Sequence, residues 1–410
     1  MATLRSLASR LVRILGPDPR AVAQSTVALV ISIIATLIAG ITLAGNEERL
    51  AALPGLLLLV PAAIAQRGNV FGALGSRLGT AIHTGEFRIS RHVDTVFGQN
   101  VLASFALSIV AATWLAIVAW ALAQVFAIAD AMSLLNFIAV SLIGGTIASV
   151  VVLVITVALA AGSSRFGWDL DNVVAPLVTA TGDLATLPAL LLGSLIVTPS
   201  LTGEVIALIG ATIAVIVSGF CLRSGLSLMR RIFLESVPVL ALASTLSLIA
   251  GITVEKRLSS FLDQPALLIL VPAYFGMAGA LGGILSSRLG TKVHLGLIEP
   301  TRVPQRRARA DIRSVAVIAV PIFALVGLAA HVSALIVGVE GPGLGLMVAT
   351  ASLAGVGVTL IVLMVAYYGT LGSVRFGLDP DTATIPLTNS VLDLVGAFTL
   401  VGTILLLGVA

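Results

Sequence analysis

Residues 165–183 read RFGWDLDNVVAPLVTATGD, and residues 375–393 read RFGLDPDTATIPLTNSVLD. The two stretches share eight residues at the same spacing, and the last of these are Asp183 and Asp393. Each stretch runs from a charged segment into an apolar one and carries its final carboxylate into that apolar segment. An ionisable group inside a membrane span is costly, so it indicates an ion or proton path. Two such acids in equivalent places predict one shared site.

The composition is that of a protein that crosses the membrane many times. Of 410 residues, 58% are hydrophobic and only 10% are charged, and the mean hydropathy is +1.13. The basic residues lie in short loops, which argues against nucleic-acid binding despite the net charge of +4. The first apolar run has no small-residue cleavage site after it, so we expect a retained helix. The single cysteine, Cys221, excludes an intramolecular disulfide and a cysteine-rich metal cluster.

Eleven apolar segments are long enough to cross a bilayer, whose core needs roughly 20 helical residues per crossing. Each segment must be helical, because an open sheet edge is not stable in hydrocarbon and the alternation of a barrel strand is absent. The predicted fold is therefore all-α and integral to the membrane. The predicted spans are residues 21–45, 52–82, 97–127, 132–162, 173–198, 204–222, 234–254, 265–291, 314–338, 343–371 and 383–409.

Arginine and lysine concentrate in alternate loops, which indicates the cytoplasmic side of the membrane. With eleven spans, this pattern predicts a multi-pass protein of the cell membrane with a cytoplasmic N-terminus and an external C-terminus. The most basic segment, residues 302–313, is interpreted as a topology determinant near anionic lipid. A docking site for a partner is the alternative.

The second half of the chain repeats the first. At an offset of 211, residues 37–42 match residues 248–253, and the SRLGT of residues 76–80 recurs at 287–291. Each half has five spans, an odd number, so two directly fused halves would have opposite orientations in the membrane. The sixth span, which has no counterpart in either half, gives the two halves the same orientation. Parallel copies share a pseudo-two-fold axis along the membrane normal. The expected parts are a first repeat over residues 1–203, a linker helix over 204–230 and a second repeat over 231–410.

The two inner acids are expected to lie near the bilayer midplane. Asp183 and Asp393 are about ten residues into their spans, which corresponds to about 15 Å of helix. Polar residues three or four positions away share their helical faces. These neighbours are Thr179, Thr186, Asn389 and Ser390.

Two carboxylates that meet in a low dielectric resist joint ionisation unless a cation neutralises them. Mg²⁺ keeps much of its water and typically meets one or two carboxylates. We therefore expect Asp183, Asp393 and their four polar neighbours to hold a largely hydrated divalent cation. In the alternative, the acids form ion pairs with Arg77 or Arg288 and only hold helices together.

Other repeated features allow two interpretations each. The glycine rows of the second helix in each half indicate close helix packing or, alternatively, pore lining. The arginines of the second helices are expected to extend to the membrane edge. The histidines that follow them are expected to form hydrogen bonds at that edge or, alternatively, to bind a metal. The aspartates at the start of the fifth helices are expected to cap those helices or, alternatively, to lie at the cytoplasmic entrance for the ion. These residues are Gly68, Gly72, Gly75, Gly79, Arg77, His83 and Asp171, with Gly279, Gly283, Ser286, Gly290, Arg288, His294 and Asp381 in the second half.

The motifs that contain Arg67-Gly68-Asn69, Ser76-Arg77-Leu78-Gly79-Thr80 and residues 165–183 resemble the membrane domain of MgtE-type magnesium transporters. They are closest to the duplicated form in the eukaryotic solute-carrier relatives of MgtE, and the resemblance covers nearly all of residues 21–410. It implies five-helix domains that pair about a central pore, with the fifth-helix aspartate at an Mg²⁺ site. One chain would then work as a monomer equivalent to the family's homodimer, embedded in the lipid bilayer, with Mg²⁺ as transported ion and no cofactor.

The sequence departs from the family pattern in two ways. Gly68-Asn69 becomes Gly279-Ala280 in the second half, so any ligand role of Asn69 is one-sided. The family's bacterial members carry long acidic cytoplasmic domains that sense magnesium, and we expect this protein to lack such a domain and gating by it.

The sequence favours a transporter of divalent cations, most of all Mg²⁺, over an enzyme. An exporter of Mg²⁺ that is coupled to Na⁺ or H⁺ is the alternative. A remote alternative is an intramembrane aspartyl protease, because two membrane aspartates can form a catalytic dyad. A purely structural scaffold would have no need of two acids at the midplane.

Overall fold

The computed structural model describes residues 19–44, 56–90, 92–126, 128, 131–197, 201–255, 264–377 and 380–409. In these residues the chain forms eleven long α-helices, one in each predicted span. The first five are α1 Pro19–Ala44, α2 Leu56–His83, α3 Val96–Val125, α4 Leu134–Phe166 and α5 Leu170–Val197. The others are α6 Leu201–Arg223, α7 Ser227–Glu255, α8 Ala266–His294, α9 Arg306–Val337, α10 Leu344–Arg375 and α11 Pro380–Leu406. The prediction of an all-α membrane protein is confirmed.

Ten of the helices are, over their described residues, long and apolar enough to cross a bilayer. The helix outside this set is α2, which carries Gln66, Arg67, Asn69 and Arg77. All four side chains are buried. A polar helix is tolerated at membrane depth when protein surrounds it, and α2 accordingly lies inside the bundle.

The first helix of each half packs against helices of both halves. Helix α1 packs against α5 of its own half and α8 of the other, and α7 packs in the same way against α11 and α2. Helices α5 and α8 also touch, as do α11 and α2. The centre of the protein is therefore built from the first, second and fifth helices of each half, and α6 packs on α3 and α4 at the side.

The second-helix arginines are buried, which corrects the expectation that they reach the membrane edge. Arg77 and Arg288 are each 7% exposed. Arg77 Nε donates to Asn100 Oδ1 within its own half at 2.8 Å. Arg288 Nε donates to Asn172 Oδ1 at 2.8 Å, and its Nη2 donates to Ser25 Oγ at 2.7 Å, so this side chain joins the two halves. Hydrogen bonds to neighbouring helices make burial of the guanidinium groups possible.

The glycine rows pack closely on a neighbouring helix at some positions and line a cavity at others. A Cβ on Gly75 would lie 2.0 Å from Val174 Cγ2, and one on Gly283 would lie 2.6 Å from Ala175 Cβ. These two glycines let α2 and α8 pack closely on α5. Gly68 and Gly279, at the other end of the rows, instead line a cavity.

Candidate cation site

A cavity of about 140 Å³ lies between the two halves. Helices α2 and α5 form its wall in the first half, and α7, α8 and α11 form its wall in the second. This volume has room for several water molecules. Most of the wall is apolar or glycine, and the polar side chains that line it are Thr179, Asp183, Ser247, Asn389 and Asp393.

Of the six predicted site residues, four line this cavity and two do not. The four are Asp183, Asp393, Thr179 and Asn389. Thr186 is fully buried and lies outside the lining. Ser390 also lies outside it, and its Oγ donates to Pro386 O at 2.9 Å. The helical spacing thus predicted the polar face of each fifth helix, but only part of that face borders the cavity.

Asp183 has an unpartnered oxygen beside the cavity. The residue is 2% exposed, and its Oδ1 has no hydrogen-bond partner in the described part of the chain. A Cβ on Gly276 would lie 3.3 Å from its Oδ2, so the absence of a side chain there keeps this oxygen uncrowded. Burial of a carboxylate without a partner is costly. The site therefore favours a cation or a proton beside Asp183.

Neither inner acid forms an ion pair with an arginine or lysine of the described residues. The two arginines considered as partners, Arg77 and Arg288, hydrogen bond to asparagine side chains at the end of the bundle. The alternative of helix-fastening ion pairs is therefore wrong for this structure.

Asp393 is held by a residue that sequence reasoning missed. Ser247 Oγ on α7 donates to Asp393 Oδ2 at 2.5 Å. The available signal was the repeat, because at the offset of 211 Ser247 corresponds to Thr36, a second hydroxyl residue. Thr36 Oγ1 instead donates to carbonyls of its own helix. The two acids therefore have different surroundings, although their sequence motifs match.

An asparagine pair connects the halves next to the cavity. Asn389 Nδ2 donates to Asn69 Oδ1 at 2.9 Å, and Asn69 Nδ2 donates to Ser390 Oγ at 3.4 Å. The second half has Ala280 in place of Asn69, so it has no amide for the equivalent bond. Asn69, which has no amide counterpart in the second half, thus links α2 to α11 and positions Asn389 at the cavity.

A second group of metal-type donors lies at the end of α2. Donor atoms of His83, Asp169 and Asp171 all lie within 4.8 Å of one another, and His83 Nε2 is 3.6 Å from Asp169 Oδ1. Ser287 Oγ donates to Asp171 Oδ1 at 2.9 Å. Asp169, which the sequence did not single out, accepts from the Asp171 backbone N–H and so caps α5. Asp381, the second-half counterpart of Asp171, has a side chain outside the described ones.

The charge state of Asp169 follows from these neighbours. Burial raises the pKa of Asp169, but the hydrogen bond and charge of His83, the Asp171 N–H and the charge of Arg288 together lower it below its ordinary value. This carboxylate is therefore ionised at neutral pH. The group offers one imidazole and two carboxylates to a cation.

Comparison with known proteins gives two family matches and several relatives. Residues 60–193 and 271–403 match the family MgtE, described as a divalent cation transporter. Solute carrier family 41 member 3 of Rattus norvegicus is 24% identical over 250 residues, which are 58% of this chain and 52% of that protein. Solute carrier family 41 member 2 of Xenopus laevis is 27% identical over 268 residues, 61% of this chain and 45% of that protein. The chain spans about half the length of these curated relatives.

Among solved structures, the eukaryotic MATE transporter AtDTX14 matches over 96% of this chain and 95% of that chain, with 14% identity and a TM-score of 0.33. A score this low carries no argument about fold or function. The two family matches, in contrast, together cover more than half of the chain, and each contains the acid-bearing part of one fifth helix. The resemblance found in the sequence is confirmed. The chain belongs to the MgtE family, described as divalent cation transporters.

Proposed function

We propose that this protein transports divalent cations, and Mg²⁺ in particular, along a path between its two halves. Asp183 and Asp393 hold one largely hydrated ion in the central cavity. The observation that carries the proposal is that an acid from each repeat lines the same cavity. Two carboxylates match the charge of one divalent ion.

The other lining groups suit an ion that keeps its water. Thr179 and Asn389 offer a hydroxyl and an amide to the outer hydration shell. Gly68, Gly276 and Gly279 leave space that side chains would fill. Among the described residues, the lining contains oxygen donors and neither histidine nor cysteine, and this donor set suits a hard cation more than a transition metal.

The remaining parts of the proposal concern architecture. The two repeats, residues 1–203 and 231–410, stand parallel about the cavity, and α6 lies in the linker between them. The arginine-rich helix ends face the cytoplasm, with the N-terminus on that side and the C-terminus outside. One chain then supplies both acids and is the functional unit.

Flux of Mg²⁺ into proteoliposomes tests the proposal. Asp183→Asn and Asp393→Asn each keep the shape of the side chain and remove its charge, so each variant should lose flux while it still folds. Thr186→Val is the matched control, because Thr186 is on the same helix but outside the cavity lining, and it should keep its flux. Wild-type flux in the Asp183→Asn, Asp393→Asn double variant would overturn the proposal.

The same vesicles separate a channel from a coupled exporter. We expect flux to follow the Mg²⁺ electrochemical gradient alone. Flux that requires an opposing Na⁺ or H⁺ gradient would replace the channel by an exchanger and leave the site unchanged.

A further inference from the structure

Arg67 on α2 is a buried charge that the proposed site does not use. The residue is 2% exposed. Its Nη1 donates to Ala63 O and to Gln66 Oε1, both at 2.7 Å. Its Nε and Nη2 have no hydrogen-bond partner, and no carboxylate lies within 4.0 Å of it, among the residues that the structure describes. Arginine keeps its charge in proteins, and a buried cation without a partner is costly.

The base of the Arg67 side chain lies directly behind the first-half wall of the cavity. Gly68, the next residue, lines the cavity. The Cβ of Arg67 lies 3.3 Å from the place that a Cβ on Gly182 would take, and Gly182 precedes Asp183. The side chain then extends away from the cavity to α4, where a Cβ on Gly145 would lie 2.3 Å from Nη2. The missing side chain of Gly145 makes room for the charge.

The second half carries no equivalent charge. At the offset of 211, Gln66 and Arg67 correspond to Met277 and Ala278, and both of these are fully or nearly fully buried. The first half therefore carries a buried positive charge on the helix behind its cavity wall, and the corresponding position of the second half, Ala278, carries none. Helix packing alone does not require an arginine at this position, because the second half packs its corresponding helix with Ala278 there.

We propose that Arg67 is a fixed charge that weakens cation binding in the central cavity and thereby allows the ion to leave. This inference rests on the proposed function. Charges in a low-dielectric interior act beyond contact distance, so the two acids offset the buried guanidinium when the cavity is empty. A divalent ion that neutralises those acids removes this compensation. Conduction requires a site that binds the ion but also releases it, and Arg67 shifts the balance toward release.

Equilibrium binding of Mg²⁺ to the purified full chain, together with flux, tests this role. Arg67→Met removes the charge and keeps the length of the side chain, and we expect its Kd for Mg²⁺ to fall about tenfold. Its maximal flux should fall as well, because release becomes slow. Gln66→Met gives the neighbouring position the residue of its second-half counterpart, Met277, and leaves the Arg67 charge in place, so it should stay within about twofold of the wild type in both measurements.

A packing role predicts a different result. In that case Arg67→Met would lose stability and leave the Kd unchanged. Either an unchanged Kd in Arg67→Met or an equal shift of the Kd in Gln66→Met overturns the inference. If Arg67→Met is unstable without Mg²⁺, saturating Mg²⁺ should raise its Tm by more than it raises that of the wild type, because a tighter ligand stabilises more. Failure of Mg²⁺ to do so also overturns it.

The proposed function can fail separately. A wild-type chain that neither binds nor transports Mg²⁺ refutes the proposed function. A wild-type chain that binds Mg²⁺ through Asp183, combined with an unchanged Kd in Arg67→Met, refutes only the role of Arg67.

Discussion

Ser76 Oγ and Ser287 Oγ lie 2.8 Å apart, and the two residues are separated by 211 positions in the chain. This separation is the repeat offset, so each serine contacts its own counterpart. Contact between equivalent residues is what a two-fold axis between α2 and α8 requires. In this structure both helices belong to the same chain.

A disulfide can test whether this contact forms within one chain. In a Cys221→Ser background, Ser76→Cys and Ser287→Cys should cross-link on mild oxidation, because disulfides form between side chains at this separation. With a protease site inserted at the exposed turn around Gly225, the two fragments should remain joined after cleavage until a reductant is added. Gel electrophoresis without reductant reads the result. A cross-linked dimer in place of joined fragments would show that the halves pair between chains.

Loss of the hydrogen bond from Ser247 to Asp393 should lower Mg²⁺ flux more than loss of the hydroxyl of Thr36, the counterpart of Ser247 in the first half. Ser247→Ala removes the donor that fixes the carboxylate, so we expect roughly fivefold lower maximal flux with little change in folding. Thr36→Val should be close to the wild type, because the Thr36 hydroxyl bonds only to its own helix. Flux in proteoliposomes compares them. An equal or larger loss in Thr36→Val would contradict the asymmetry of the site.

Two glycines of the cavity wall should respond differently to a methyl group. A Cβ on Gly276 would lie 3.0 Å from Thr36 Cγ2 and 3.3 Å from Asp183 Oδ2. One on Gly279 would meet only Asn389 Oδ1, at an ordinary 3.8 Å. Gly276→Ala should therefore lower flux about tenfold or more, and Gly279→Ala should retain most of it. Equal fluxes would mean that the space beside Asp183 is not used by the ion.

The asparagine pair should contribute to stability as well as to the site. Asn69→Ala leaves the buried Asn389 amide without its partner, which should cost about 1 to 3 kcal/mol of unfolding free energy. Thermal unfolding in detergent without Mg²⁺ measures the loss. Thr212→Ala on α6 is the control, because its exposed hydroxyl bonds only within its helix. A Tm for Asn69→Ala that equals that of the control would show that the pair adds nothing.

The positions of the helices were predictable because apolar length determines membrane spans. The helices extend beyond those spans where charged residues continue them, as at Arg306, which begins α9 eight residues before the predicted span. The repeat likewise predicted that Asp183 and Asp393 border one cavity. These results depend on local composition and on symmetry, and the sequence contains both.

The side-chain partners were not predictable in the same way. The burial of Arg288 depends on Asn172 and Ser25, which come from another part of the chain. The bond from Ser247 depends on α7 packing against α11. Thr186 shares a helical face with Asp183 yet lies outside the cavity lining. Helical periodicity predicts which side chains share a face, but it does not predict how far the cavity extends along that face.

The number of Mg²⁺ ions bound per chain tests the central claim most directly. Equilibrium dialysis of the wild type should show one ion per chain, in the micromolar to millimolar range, whose binding both Asp183→Asn and Asp393→Asn abolish, because both acids hold the same ion. Two ions in the wild type with one lost in each variant, or full binding in either variant, would contradict a single site shared by the two halves.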